Sequence, residues 1–261
     1  MGRIESCFES LRSKGEKGLI TFITAGDPSI ENTLDYMQSL VEGGTDVIEL
    51  GVPFSDPMAD GPTIQRASER SLAAGTDLSS IFMLVRAFRE RNASTPVILM
   101  GYMNPFERLG FERFAKEAKA SGVDGVLVVD LPPEESVPQN KILTLNGIRQ
   151  IFLIAPNSSE DRIKKVGELA AGFIYYVSVK GVTGDKSIST SNIRNSLELV
   201  RNGTRLPIGL GFGIKTPESA REAAKLSDAV VVGSALVEII EKETEVNVAR
   251  KSLESFVKEL K

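Results

Sequence analysis

The sequence predicts a single closed (β/α)₈ TIM barrel that spans residues 1–261. Short apolar runs rich in Val, Ile and Leu recur along the chain, and we count eight of them. They alternate with longer segments in which apolar residues recur every three or four positions, as they do in amphipathic helices. Eight such repeats in about 250 residues match a parallel barrel covered by helices on its outer face.

The predicted strands are short and bounded by turn-forming or polar residues. In chain order they lie at 19–25, 46–52, 96–102, 125–130, 149–155, 172–178, 207–212 and 228–233. A doubly wound open sheet is the alternative, because the sequence does not reveal the order of the strands.

Helical segments fill the intervals, and several end in glycine, as helix stops require. They include residues 29–44, 111–122, 159–172 and 217–227. Residues 1–17 form a lead helix before the first strand, and residues 77–92 an additional helix before the third. No segment rich in Pro, Gly or Ser divides the chain, which favours one domain.

Composition excludes several classes of protein. The 261 residues are 41% hydrophobic and 25% charged, which is ordinary for a globular protein. The net charge is −4 and Lys and Arg are scattered along the chain, which argues against binding to nucleic acid or to an anionic membrane. No apolar run approaches the roughly 18 residues of a membrane span, and the N-terminus lacks a signal-peptide core, so we expect a cytoplasmic protein. Cys7 is the only cysteine and histidine is absent, so we expect no metal and only carboxylate, Tyr or Lys chemistry.

The second predicted strand ends in a carboxylate. Ile48 and Leu50 share one face, which must pack on helices, so Glu49 points into the barrel near the carboxyl end of the strand. Barrel enzymes place their chemistry at this end, and burial raises the pKa of a carboxyl toward the range useful for general acid catalysis. The alternative is a structural carboxylate paired with Lys or Arg.

Asp60 ends the loop that follows this strand. Pro62 suits the first helical position, so Gly61 takes the N-cap and Asp60 lies one residue too early to cap the helix. We therefore predict a functional role for Asp60, with assistance to the helix start as the alternative. The pair Asp56-Pro57 is typical of a turn.

Glycine turns follow the last three predicted strands: GVTG (181–184), GFG (211–213) and GSA (233–235). Glycine lets backbone N–H groups converge on an oxyanion, and barrels commonly bind phosphate after strands seven and eight. Thr216 and Ser234 mark the starts of short helices there. The turns predict a phosphate site, although each alone is also an ordinary turn.

The remaining pocket candidates are a long loop and a set of apolar side chains. Residues 178–192 are predicted to form a lid, with an ordinary surface loop as the alternative. The apolar and aromatic side chains near strand ends indicate either core filling or a flat apolar substrate group. They are Phe22, Met100, Tyr102, Leu127, Tyr175 and Phe212.

The stretch ELGVPFSDPMADGPTIQRAS (49–68) resembles the signature segment of the tryptophan synthase α subunit family. The resemblance covers essentially the whole chain, including FITAGDPS, MGYMNP and VVGSALV. It implies a (β/α)₈ barrel that cleaves indole-3-glycerol phosphate into indole and glyceraldehyde 3-phosphate. It also implies a β subunit in an αββα heterotetramer, with pyridoxal phosphate on that partner and no cofactor on this chain.

The resemblance also implies roles for individual residues. Glu49 would be the catalytic acid, Asp60 would hold the indole N–H, and Tyr175 would orient Glu49 or substrate. Phosphate binding would fall on Gly184, Gly213, Gly233 and Ser234. Thr183 would belong to the lid. The indole pocket would be formed by Phe22, Met100, Leu127 and Phe212. Asp56, Pro57 and Asn104 are expected to face the β subunit.

Two departures and two alternatives remain at this stage. Val179 and Lys180 stand where some members of the family carry Arg and Ser, which puts lid closure in question. Met100 and Val129 are apolar replacements that the pocket should tolerate. Another phosphate-binding barrel of the same pathway is one alternative function, and a mainly allosteric subunit with little lyase activity is the other.

Overall fold

The computed structural model describes residues 2–178, 190–211 and 213–261, and within them eight parallel strands close into a barrel in the order β1 to β8. The strands are β1 (Gly18–Thr24), β2 (Val47–Gly51), β3 (Val97–Gly101), β4 (Gly125–Val128), β5 (Arg149–Ile154), β6 (Ile174–Val177), β7 (Ile208–Gly211) and β8 (Ala229–Val232). Each predicted strand agrees with an observed one to within two residues at either end. The closed order confirms the barrel and excludes the doubly wound sheet.

Twelve helices cover the barrel in the same described ranges. They are α1 (Arg3–Lys14), α2 (Ile30–Gly43), α3 (Pro62–Ala73), α4 (Leu78–Arg91), α5 (Met103–Leu109), α6 (Phe111–Ser121), α7 (Val137–Leu145), α8 (Glu160–Leu169), α9 (Thr190–Gly203), α10 (Pro217–Ala224), α11 (Ser234–Lys242) and α12 (Val246–Leu260). The predicted lead helix is α1, and the predicted additional helix before the third strand is α4. No helix among these residues combines the length and apolar character needed to cross a bilayer.

Local chemistry accounts for the helix ends near the site. Gly61 is the N-cap of α3 and Pro62 is its first residue, as the sequence predicts. At α10 the side chain of Thr216 accepts a hydrogen bond from the backbone N–H of Ser219, and Pro217 again takes the first position. These caps fix the residue at which each helix begins.

The core has two layers, one on each side of the sheet. Ile48 and Leu50 of β2 lie in the outer layer between strands and helices, whereas Val47 lies in the inner layer that fills the barrel. This confirms the predicted parity of β2. The inner layer continues into α1 through Ile4 and Phe8, so this helix covers the amino ends of the strands.

The single cysteine belongs to this packing. Cys7 of α1 packs against the inner layer, with its Sγ 3.6 Å from the carbonyl oxygen of Asp46. Burial raises the pKa of the thiol to about 11, which keeps it protonated and unreactive at neutral pH. Cys7 is therefore a packed side chain.

Candidate active site

Glu49 lies on the inner face of β2 and is fully buried. Neither of its carboxylate oxygens has a hydrogen-bond partner among the described residues, so the structural alternative, an ion pair with Lys or Arg, is not present there. Burial raises the pKa of this carboxyl to about 8. A group with this pKa is mostly protonated at neutral pH and can donate its proton.

The carboxyl of Glu49 faces a cavity of about 250 Å³ at the carboxyl ends of the strands. This is the end at which barrel enzymes carry out their chemistry. The described lining residues are Phe22, Glu49, Ala59, Asp60, Gly61, Ile64, Met100, Tyr175, Gly213, Ile214, Lys215, Val231, Gly233 and Ser234. A buried acid that opens onto a mostly apolar cavity is an arrangement for acid–base chemistry on a partly apolar ligand.

Asp60 is the second carboxylate of the cavity and reaches it from the loop between β2 and α3. The Nε2 atom of Gln65 donates to the backbone oxygen of Asp60 at 2.8 Å, which anchors the loop to the first turns of α3. Burial raises the pKa of Asp60, and a hydrogen bond from the Tyr102 hydroxyl opposes that rise. The same hydroxyl accepts the backbone N–H of Ala59 at 3.0 Å, so Tyr102 holds the end of the loop.

Two aromatic rings flank Glu49, and each packs against a glycine of a neighbouring strand. A Cβ atom on Gly51 would lie 2.6 Å from the Phe22 ring, and one on Gly211 would lie 2.6 Å from the Tyr175 hydroxyl. Both glycines therefore make room for a ring that lines the cavity. Within the described part of the chain Tyr175 makes no hydrogen bond to Glu49, so the predicted orientation of Glu49 by Tyr175 gains no support from the geometry.

The other end of the cavity is formed by glycine turns and a helix start. Gly213 has a positive φ of 75°, a conformation that glycine adopts without strain. Gly233 is the N-cap of α11 and provides no side-chain cap, so within the described part of the chain no capping side chain competes with a ligand for the first backbone N–H groups of this helix. With Ser234 at the first position of α11, this end suits an anionic group.

A network of ion pairs ties α3 to α11. Arg66 forms two hydrogen bonds of 2.7 Å to the carboxylate of Glu241 in α11, and Arg70 adds a third at 2.8 Å. Arg70 also forks onto the fully buried carboxylate of Asp27, with distances of 2.7 and 2.8 Å. Because α3 follows Asp60 and α11 begins at Ser234, the network links the two polar ends of the cavity.

The predicted site residues meet in this cavity with some exceptions. Leu127 does not line it: this side chain is fully buried in the inner layer, on the strand position paired with Met100. Thr183, Gly184, Phe212 and the lid positions Val179 and Lys180 lie outside the described residues. Lys215, two residues after the GFG turn, also lines the cavity, although the sequence pattern does not indicate a role for it.

The residues expected at a partner interface lie on the same face of the barrel. Asp56 and Asn104 are exposed and Pro57 is partly exposed. The Phe54 and Tyr102 rings lie 5.5 Å apart between centroids, which joins the loop after β2 to the start of α5. The two segments therefore form one continuous surface beside the cavity.

A larger groove of about 550 Å³ lies at the opposite end of the barrel, between α1 and the residues before β7. It contains none of the predicted site residues. Among the described residues, no group of three or more His, Cys, Asp or Glu side chains is arranged to hold a metal ion. The cavity beside Glu49 is thus the candidate active site.

Fold and site together define a (β/α)₈-barrel enzyme that places a buried acid opposite an anion-binding helix start. A sequence profile described as tryptophan synthase alpha chain matches residues 8–261. The tryptophan synthase alpha chain of Burkholderia ambifaria is 51% identical over 261 residues, covering 100% of this chain and 96% of the relative. That of Cupriavidus pinatubonensis is 54% identical over 241 residues, covering 92% and 91%.

Solved structures agree with these relatives. The alpha subunit of tryptophan synthase from Legionella pneumophila superposes with a TM-score of 0.91 at 40% identity, covering 100% of this chain and 98% of that chain. A chain from the α2β2 complex of Pyrococcus furiosus gives a TM-score of 0.85 at 40% identity, covering 93% and 97%. The chain belongs to the tryptophan synthase alpha chain family, which is the lyase subunit of an enzyme of tryptophan biosynthesis.

Proposed function

We propose that this chain cleaves indole-3-glycerol phosphate to indole and glyceraldehyde 3-phosphate in a retro-aldol reaction. The observation that carries the proposal is the fully buried carboxyl of Glu49, which has no partner among the described residues and faces the cavity. A buried acid of this kind is left unsatisfied until a ligand supplies its partner. Membership of the family gives the substrate.

The reaction requires a proton at C3 of the indole ring, because indole leaves readily only from the C3-protonated form. Glu49, with its pKa raised to about 8, supplies that proton. As the bond between C3 and the glycerol carbon breaks, the hydroxyl on that carbon loses its proton and becomes the aldehyde. The Glu49 carboxylate takes up that proton and returns to its starting state.

Asp60 acts on the opposite side of the ring. Its carboxylate accepts the indole N–H and stabilises the positive charge that C3 protonation places on the ring nitrogen. The hydrogen bond from Tyr102 favours the ionised form of Asp60 that this role requires. Phe22 and Met100 line the space for the flat ring.

The phosphate group binds at Gly213, Gly233 and Ser234, where free backbone N–H groups and the amino end of α11 favour an anion. The family resemblance adds Gly184 to this set, Thr183 to the lid and Phe212 to the ring pocket. We retain Leu127 only as packing beside Met100, its partner on the adjacent strand, because it does not line the cavity.

We further propose that the chain works as one domain with a β subunit. A single closed sheet from β1 to β8 supports the one-domain organisation. The α2β2 assembly of the Pyrococcus furiosus relative supports an αββα heterotetramer, in which the β subunit carries pyridoxal phosphate and receives the indole. Asp56, Pro57 and Asn104 would face that subunit, and the biosynthetic role supports a cytoplasmic location.

Release of indole from indole-3-glycerol phosphate, measured with and without a β subunit, tests the proposal. We expect turnover by the wild type, and a loss of about 10²- to 10⁴-fold in kcat for Glu49→Gln with glycerol 3-phosphate still bound. Asp60→Asn should also lower the rate strongly, whereas Glu117→Gln, a change of an exposed carboxylate on α6, should not. Turnover by Glu49→Gln at the wild-type rate would rule out the acid role.

A further inference from the structure

Lys215 lies in the short turn between Gly213 and α10 and lines the active-site cavity. It is the one Lys or Arg among the described lining residues, which otherwise include the carboxyls of Glu49 and Asp60. A phosphate monoester brings nearly two negative charges into this space. Backbone N–H groups and a helix dipole provide only partial positive charge, so a full cation at this place would change the electrostatics of binding.

The position of the ammonium group is set by an ion pair with α11. Lys215 Nζ lies 3.2 Å from Oε1 of Glu238. Glu238 follows Ser234 by four residues in α11, so the two side chains lie on one face of the helix, one turn apart. Helical side chains also lean toward the amino end, which brings the Glu238 carboxylate, and the ammonium it holds, toward Ser234.

The pair with Glu238 is weak enough to be exchanged. The side chains of Lys215 and Glu238 are 57% and 30% exposed, and exposed pairs of this kind contribute little net free energy. A phosphate at the start of α11 carries more charge than one carboxylate. The long, flexible lysine side chain can therefore leave Glu238 for the phosphate at little cost.

We propose that Lys215 is a phosphate-binding residue of this enzyme, and that Glu238 competes with the phosphate group for its ammonium. The inference rests on the proposed function, since it assumes that the phosphate occupies the Gly213, Gly233 and Ser234 end of the cavity. It adds a side-chain cation to a site otherwise built from backbone N–H groups and one hydroxyl. The ion pair with Glu238 lowers the affinity of that ammonium for the phosphate group.

Calorimetric titration of the full chain with glycerol 3-phosphate, and separately with inorganic phosphate, tests the proposal. We expect Lys215→Gln to weaken both ligands on the order of 3- to 10-fold, and Glu238→Gln to tighten them on the order of 2- to 5-fold. The double variant should bind like Lys215→Gln, because Glu238 acts only through Lys215. Lys215→Arg should retain most of the affinity.

Salt and kinetics give two further readouts. The difference between wild type and Lys215→Gln should shrink as NaCl rises from 0.05 to 0.5 M, because a partly exposed charge is screened; the screening length is about 10 Å at 0.1 M salt. In indole release, the effect of Lys215→Gln should fall mainly on KM. Lys225→Gln removes an exposed lysine that is paired with Glu222 at the far end of α10, and as the matched control it should change neither KM nor the affinity for phosphate.

The outcomes separate this inference from the proposed function. Equal affinities for wild type, Lys215→Gln and Glu238→Gln would overturn the role of Lys215, even if the wild type cleaves the substrate. A tightening in Glu238→Gln that persists in the double variant would also overturn it, because Glu238 would then repel the phosphate directly. A wild type that binds phosphate but releases no indole would instead count against the proposed reaction.

Discussion

Burial holds the Glu49 carboxyl protonated at neutral pH, and this links the proposed catalytic acid to the stability of the barrel. Its pKa is about 8 in the folded chain, against an ordinary value of 4.5. Between these two values the folded state binds more protons than the unfolded state. The free energy of unfolding therefore falls as pH rises through this window.

We expect Glu49→Gln to remove that pH dependence. The variant should gain stability relative to wild type as pH rises from 5 to 8, by roughly 3–4 kcal/mol across the window, since each pKa unit corresponds to about 1.4 kcal/mol. Urea unfolding at several pH values measures the difference. Glu117→Gln is the control for an exposed carboxylate. If the free energy of unfolding varied with pH in the same way for wild type and Glu49→Gln, that result would contradict a buried, protonated Glu49.

The sequence predicts the chemistry of the site better than its shape. Parity along β2 places Glu49 inside the barrel, and the position of Pro62 separates Asp60 from the helix cap; both follow from local rules. Leu127 also obeys parity, but it is paired in register with Met100, which does line the cavity, so strand pattern alone does not tell which of the two side chains reaches it. The sequence does not point to Lys215, because its placement beside the start of α11 depends on the contact with Glu238 in the folded chain.

At the scale of elements, Arg66 and Arg70 of α3 both bind Glu241 of α11, and Arg70 alone extends this ion-pair network to Asp27. Asp27 is fully buried, and Arg70 is its charged partner, so removal of the guanidinium leaves an unpaired carboxylate inside the protein. Burial raises the pKa of Asp27, and the hydrogen bond from Arg70 opposes that rise. The network is thus more costly to break than its partly exposed position suggests.

We expect Arg70→Gln to lower the free energy of unfolding by about 2–4 kcal/mol, somewhat below the roughly 3–5 kcal/mol found when one partner of a fully buried pair is removed, because Arg70 is partly exposed. The double variant Arg70→Gln with Asp27→Asn should recover part of that loss, because the buried charge is gone. Arg86→Gln, which breaks the exposed pair with Glu117, should cost less than about 1 kcal/mol. Equal losses for the Arg70 and Arg86 variants in denaturant unfolding would show that the network is not special.

The order of strands and helices is largely readable from the sequence because each element satisfies local requirements. Val- and Ile-rich runs form the strands, and residues such as Thr216 and Pro217 start helices where the chemistry of caps demands it. Closure of the sheet is not local. It requires β1 to pair with β8 across more than 200 residues, and only the count of repeats indicates it.

At the scale of the whole molecule, the face around the cavity presents an exposed apolar side chain. Met58 is 86% exposed in the loop after β2, between the expected interface residues and Asp60. A methionine this exposed is typical of a binding surface rather than of a folded core. Its neighbour Asp56 is exposed and places a charged side chain beside it.

We expect Met58→Ser to weaken binding to the β subunit about 10-fold, since burial of this side chain contributes on the order of 1.5 kcal/mol. Lyase activation on mixing should need correspondingly more β subunit. Leu145→Ser is the matched control: Leu145 is 78% exposed, but it ends α7 at the amino end of the barrel. Titration of β subunit against each variant, followed by indole release, distinguishes the two surfaces, and equal loss in both would refute the assignment.

Gly51 and Gly211 leave space for the two aromatic side chains, Phe22 and Tyr175, that line the cavity. Phe22 and Tyr175 have space because the glycine on the neighbouring strand, Gly51 beside Phe22 and Gly211 beside Tyr175, carries no side chain. A single carbon atom added at Gly51 or Gly211 would therefore displace the neighbouring ring and change the dimensions of the cavity. A laboratory search for activity on larger or smaller aromatic substrates should find its adaptive changes at these four positions, while the backbone around them stays as it is.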